Sequence, residues 1–212
     1  MIKFITTLLA LFMFSTSYAK EVKVGIILGF TGPIESLTPG MAAGAELAFN
    51  EASDSGALLG GSTVSSIRAD STCIDSAAAA SAAEFLISQG VTAIMGADCS
   101  GVTGAVLSNV AVPNGVPMIS PSATSPALTT AEDNGLFFRT APSDARGGEV
   151  LADITNDRGI TSVAITYVNT DYGVGLADVY EAAANARGIE VTAKTAHEGD
   201  KADYSAEVGV LS

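Results

Sequence analysis

Two kinds of apolar pattern alternate along this chain. Residues 22–28 form a nearly continuous apolar run closed by Gly29, Thr31, Gly32 and Pro33, the pattern of a strand buried on both faces of a parallel sheet. Thr38 and Pro39 then read as an N-cap and first-turn pair, and Met41, Ala45, Ala48 and Ala52 recur on one face of a predicted helix. The alternation continues with a weaker strand over 63–69 and an Ala-rich helix over 76–89, stopped where Gly90 can take the left-handed cap conformation. A strand over 91–95, a helix over 100–110 and a strand over 116–120 follow. This βαβαβαβ series predicts an α/β fold, a doubly wound parallel sheet with right-handed crossovers.

The rhythm breaks over 130–142, where 135–139 is a candidate short strand and Thr140-Ala141-Pro142-Ser143-Asp144 reads as a crossing segment ending in a helix cap. We place a domain boundary near Pro142. Beyond it come a helix over 144–156, a strand over 161–168, a helix over 174–187 ended by Gly188, a strand over 189–193 and a helix starting near Asp203. Two strands are too few to cover three amphipathic helices, so partner strands are expected from residues beyond Ser212 or from another chain. Residues 208–212 stop without a helix-ending signal, which predicts a truncated chain with an incomplete second lobe that binds weakly or not at all by itself. The expected organisation is a leader over 1–19, a first lobe over 20–141 and a partial second lobe over 142–212.

The leader carries one positive charge at Lys3, an apolar run over 4–14 and Ser17-Tyr18-Ala19, small at the two positions a signal peptidase reads. This is the pattern of a secretory signal peptide; about 11 apolar residues fall short of the roughly 20 a bilayer crossing needs. A buried N-terminal helix is the alternative. Export out of the cytoplasm changes how Cys73 and Cys99 read, because an oxidising compartment favours pairing a lone couple. A disulfide is expected, two separate buried thiols being the other reading; a metal site lacks ligand spacing. The formal charge of −13, from 23 acidic and 10 basic side chains, leaves no basic stripe for a phosphate backbone and argues against a nucleic-acid partner.

Ligands of open α/β sheets sit outside the carboxyl ends of the strands, which directs attention to the loops over 29–38, 96–101, 120–124 and 169–173. The second carries Asp98-Cys99-Ser100-Gly101 and opens a helix, so the Ser100 hydroxyl and the N–H groups after it suit an anion; an ordinary N-cap is the plainer role. Ser120-Pro121-Ser122-Ala123-Thr124 adds hydroxyls, or simple turn chemistry. In Asp171-Tyr172-Gly173, Tyr172 can lay an aromatic face over a ligand, unless Asp171 caps the helix and Tyr172 packs at its first turn. Asp144 can face a ligand amine or cap its own helix. No glycine-rich dinucleotide fingerprint, phosphate loop or nucleophile elbow occurs, so no cofactor is expected. The single His197 reads as a lone surface residue.

Taken in order, Gly29-Phe30-Thr31-Gly32-Pro33, Gly44-Ala45-Glu46-Leu47-Ala48, the Cys73 and Cys99 pair with Ser100 next, Ile119-Ser120-Pro121-Ser122-Ala123-Thr124, Phe138-Arg139-Thr140, Asp171-Tyr172-Gly173 and Asp203-Tyr204-Ser205 resemble the periplasmic branched-chain amino-acid-binding proteins of ABC importers. The resemblance spans nearly all of residues 22–207. It implies the type I periplasmic binding protein fold, two α/β lobes joined by three crossings that close on an amino acid, with no catalysis. It further implies that Ser100 binds the ligand carboxylate, that the segment Ser122, Ala123 and Thr124 contacts carboxylate and amino groups, that Tyr172 covers the ligand, and that Cys73 pairs with Cys99. Leu37 stands where the family often has an aromatic residue. The family's acidic partner for the ligand amine falls beyond Ser212.

The expected function is therefore capture of a branched-chain or similar amino acid between lobes and delivery to an inner-membrane ABC permease by a protein monomeric at full length. A sensory or receptor ectodomain for amino acids, amides or short carboxylates is the alternative. A secreted hydrolase is a third reading, with His197 its sole available base.

Overall fold

The computed structural model describes residues 19–211. The expected signal peptide lies outside them, except for Ala19. Seven strands alternate with the helices: β1 (Glu21–Leu28), α1 (Thr38–Asp54), β2 (Thr63–Asp70), α2 (Ser76–Ser88), β3 (Ala93–Gly96), α3 (Ser100–Val106), β4 (Met118–Ser120), β5 (Phe137–Arg139), then α5 (Asp144–Asp157), β6 (Ser162–Val168), α6 (Asp171–Ala186), β7 (Glu190–His197) and α7 (Ser205–Leu211). The helix begun by α3 runs on through a π-turn (Leu107–Ala111) and a last turn α4 (Val112–Asn114), until Gly115 takes a left-handed conformation. Among the described residues no helix is long and apolar enough to cross a membrane.

The first five strands form one parallel sheet in the order β2-β1-β3-β4-β5. Side chains alternate across a strand, and β1 shows the consequence. Ile27 packs with Leu86 of α2 and with Val102 and Val106 of α3, while Ile26 and Leu28 point to the other face and meet Ala42 and Phe49 of α1. The continuous apolar run of β1 is thus what a strand covered by helices on both sides needs. Gly96 ends β3 with φ +130°, and a Cβ there would stand 2.0 Å from the Ile27 carbonyl oxygen, so only glycine lets the two central strands lie together at this point.

The second sheet pairs β6 with β7 in parallel, with a bulge between Val163 and Ala164. Helix α6 packs on both strands and α7 on β7, whereas α5 lies on α6; Gly148 makes that close, since its Cβ would meet Val179 Cγ1 at 2.6 Å. Val150, Leu151 and Ile154 of α5 stay exposed, the result of three helices sharing two strands.

Several local expectations are corrected. Thr38 is not the N-cap of α1: Leu37 holds that position, and Thr38, fully buried, donates instead to the Gly29 carbonyl at 3.0 Å. The packed face of α1 runs through Met41, Ala42, Ala45 and Phe49, and Ala48 is exposed. Helix α6 begins three residues earlier than its apolar period suggests, because the Thr170 hydroxyl accepts the Gly173 N–H at 3.1 Å and lets polar Asp171 and Tyr172 join the first turn. Strand β7 extends four residues past its apolar stretch to His197, held by pairing with β6. His197 is half-buried rather than a lone surface group: its Nδ1 shares a 2.8 Å hydrogen bond with Thr166 Oγ1, and Tyr204 stands edge-on at 5.5 Å.

Candidate functional site

The strand order reverses between β1 and β3: the chain leaves β1 to form α1 on one face and leaves β3 to form α3 on the other. Such a switch opens a crevice at the carboxyl ends of the strands. The buried Asp98 pins it. Its carboxylate accepts the Gly29 N–H at 2.6 Å, the Cys99 N–H at 2.9 Å and the Ser71 hydroxyl at 3.2 Å, joining the ends of β1, β2 and β3. The Cys73–Cys99 disulfide is formed, with Cα atoms 5.2 Å apart, and fastens the loop after β2 to the residue before α3.

The first loop is held from β2. Thr31 donates its hydroxyl to Asp70 at 2.6 Å and its N–H at 3.3 Å, and the Thr72 N–H adds a bond at 2.8 Å. Burial alone would raise the Asp70 carboxyl, but the Thr31 hydroxyl and the N–H groups of Thr72, Thr31 and Phe30 outweigh it and hold the group below the ordinary carboxylate range. Leu37 ends this loop with its side chain 62% exposed.

The loop after β4 is built almost entirely from internal hydrogen bonds. Ser120 donates to the Ala97 carbonyl and accepts the Ala123 N–H at 3.0 Å; Ser122 donates to the Asp98 carbonyl at 3.0 Å; the buried Ser100 hydroxyl oxygen accepts the Ser125 N–H at 3.1 Å. Three of the expected ligand residues, Ser100, Ser122 and Ala123, are therefore brought together, and each also braces the loop. Thr124 differs. Its carbonyl accepts the Asp144 N–H at 3.0 Å, but its own N–H and hydroxyl have no partner among the described residues. These two donors lie in the loop that Ser125 joins to Ser100, at the start of α3, whose first turn has no side-chain cap.

The second unit reaches this place through α5 and α6. Asp144 opens α5 after the Ser143 cap, and its Oδ2 is buried without a hydrogen-bond partner. At the start of α6, Asp171 Oδ2 comes within 3.2 Å of where a Cβ on Gly101 would stand, and Tyr172, 44% exposed, is next in the chain. Thr124, Asp144, Ser100 and the α6 terminus thus share one region, with neutral donors for an anion and an unpartnered carboxylate for a cation. The sequence reading missed the pinning role of Asp98; a lone acid in an otherwise apolar and small-residue stretch was the available signal.

A separate cavity of about 400 Å³ lies between α1 and the sheet, lined by Val24, Phe49, Met95, Ile119 and Thr140 among others, with largely apolar walls. His197 bonds to Thr166, and among the described residues it makes no hydrogen bond to Ser100 or Ser122. Among the described residues no cluster of His, Cys, Asp and Glu is arranged for a metal ion.

The chain is similar in sequence and fold to known proteins. A family profile described as periplasmic binding protein matches residues 21–210. The chain is 34% identical over 201 residues to the Leu/Ile/Val-binding protein homolog 3 of Brucella melitensis, covering 93% of this chain and 52% of that one. It is 34% identical over 204 residues to the Leu/Ile/Val-binding protein BraC3 of Rhizobium johnstonii, covering 94% and 54%. The chain spans about half the length of these relatives. Among solved structures, the leucine binding protein LivK of Thermotoga maritima superposes with a TM-score of 0.77 at 26% identity over 89% of this chain and 52% of that one. The branched-chain amino acid transporter substrate binding protein LivJ of Streptococcus pneumoniae, in complex with isoleucine, gives 0.75 at 27% identity over 90% and 53%. With the α/β architecture, the switch-point crevice and these matches, the chain belongs to the periplasmic binding protein family.

Proposed function

We propose that this chain belongs to the ligand-capturing body of an extracytoplasmic substrate-binding protein, which takes a branched-chain amino acid between two lobes and hands it to an ABC permease. The first lobe comprises 20–141 and the second begins at 142, the signal peptide being removed on export to the periplasm. The observation that carries the reading is Thr124: in a loop whose flanking backbone groups at Ala123 and Ser125 are all engaged, its N–H and hydroxyl are both left to donate, next to Ser100 and the uncapped turn of α3. A ligand carboxylate held there gains charge-assisted hydrogen bonds. Asp144 Oδ2 supplies the facing negative charge for the ligand amine, and Tyr172 covers the aliphatic body from the second lobe. Ser122 and Ala123 shape the loop beneath. The names of the relatives, Leu/Ile/Val-binding proteins, support this ligand class.

The action is binding, not bond making. Only a closed arrangement brings Thr124 and Tyr172 to the same ligand, so the ligand shifts the open and closed populations by its differential affinity. Calorimetric titration of the whole gene product with leucine, isoleucine and valine tests the proposal. Saturable binding of at least one is expected, weakened by Thr124→Val and by Tyr172→Ala. Absence of binding to all three, or affinities indifferent to both substitutions, would refute it.

A further inference from the structure

One guanidinium grips the backbone on both sides of Thr124. Arg139, the last residue of the edge strand β5, donates through Nη1 to the Ser125 carbonyl at 2.8 Å and to the Ala123 carbonyl at 3.3 Å, and through Nη2 to the Thr129 hydroxyl. The N–H groups of the same two residues go to Ser100 and Ser120. All four backbone polar groups flanking Thr124 are therefore held, two of them by a single side chain from a neighbouring strand. A planar fork of donors can reach divergent acceptors in a fixed geometry, which an ammonium group cannot.

We infer that Arg139 is a positioning residue for ligand capture: by clasping the Ala123 and Ser125 carbonyls it fixes the direction in which the Thr124 N–H and hydroxyl point. This rests on the proposal that Thr124 contacts the ligand. Hydrogen-bond donors held in place before binding need no ordering when the ligand arrives, so loosening them lowers affinity without removing any contact atom.

A double-mutant cycle in the whole gene product, with leucine as the calorimetric probe, tests it. Thr124→Val should weaken leucine binding about tenfold or more, the loss of a charge-assisted bond. Arg139→Gln should weaken it by about the same factor, and because Thr124→Val keeps the N–H that Arg139 also fixes, the double variant should fall between Thr124→Val and the product of the two single losses. A purely structural arginine would lower the unfolding temperature in both backgrounds while its affinity loss multiplied with that of Thr124→Val. That multiplication, or an Arg139→Gln variant with unchanged affinity, overturns the inference. Should Arg139→Gln fail to fold, Arg139→Lys takes its place in the cycle, with an intermediate loss expected and full affinity overturning the idea. Unchanged affinity in Thr124→Val alone would sink the ligand assignment, and the role of Arg139 with it.

Discussion

Asp171 Oδ2 lies 3.2 Å from the point where a Cβ on Gly101 would stand, so the first turns of α6 and α3 abut with only glycine between them. A second contact of this kind sits one turn along α6, where a Cβ on Gly175 would meet Pro126 Cδ at 3.0 Å and Ser125 Oγ at 3.1 Å. The two glycines set how closely the second sheet's helix approaches the first lobe. Their replacement should not be equivalent. The Asp171 carboxylate can swing aside, whereas Pro126 is rigid and its neighbour Ser125 is held by Arg139 and Ser100. Gly175→Ala should lower leucine affinity about tenfold and enlarge the scattering radius of the liganded protein, while Gly101→Ala should change affinity by less than about threefold. Equal effects in small-angle scattering and calorimetry would contradict this account of the contact.

Asp98 is buried and accepts from three donors on three different strand ends. Asp98→Ala leaves the Gly29 and Cys99 N–H groups without an acceptor, and each such loss costs about 1 to 3 kcal/mol. Urea unfolding should show a loss of about 3 kcal/mol or more, and a loss under about 1 kcal/mol would show that water replaces the carboxylate.

The Cys73–Cys99 bond closes a loop that includes β2's exit, α2 and β3. Reduction should destabilise the protein by about 2 to 4 kcal/mol through the freedom the unfolded chain regains. Comparison of denaturant midpoints with and without reductant measures it; coincident midpoints would mean that the bond constrains nothing.

Asp70 has a folded-state pKa below its unfolded value, so its contribution to stability is fully present above the unfolded value and fades as pH falls through the folded one. Acidification below the ordinary carboxylate range should therefore release the first loop. Nuclear magnetic resonance titration should show the Thr31 and Thr72 amide signals moving together in that range, and Asp70→Asn should abolish the shared transition.

Much of this was legible from residue order. The run ending at Leu28 marked a strand covered on both sides, and Gly90 marked the end of α2; both follow from local rules, because apolar period and backbone freedom are properties of the segment itself. Elements whose ends are decided by partners were not. Strand β7 looked short since Lys194, Thr195 and His197 are not apolar, yet pairing with β6 and the ion pairs of Lys194 with Asp178 and Glu181 keep it extended. Thr38 looked like a cap because its type favours caps, but burial turned its hydroxyl toward Gly29.

The candidate site divides the same way. The hydroxyl-rich loop and the turn opened by Ser100 could be read directly, as could Tyr172 and the two cysteines, since their types and spacing carry the chemistry. Which donors stay available could not, because hydrogen bonds between Ser125 and Ser100, Ala123 and Ser120, and Arg139 and two carbonyls join residues distant in the chain. Sequence determined which groups exist and which segments carry them. Tertiary structure alone decided that Thr124 is left to donate, because its availability depends on the backbone groups of Ala123 and Ser125 having found partners far away in the chain.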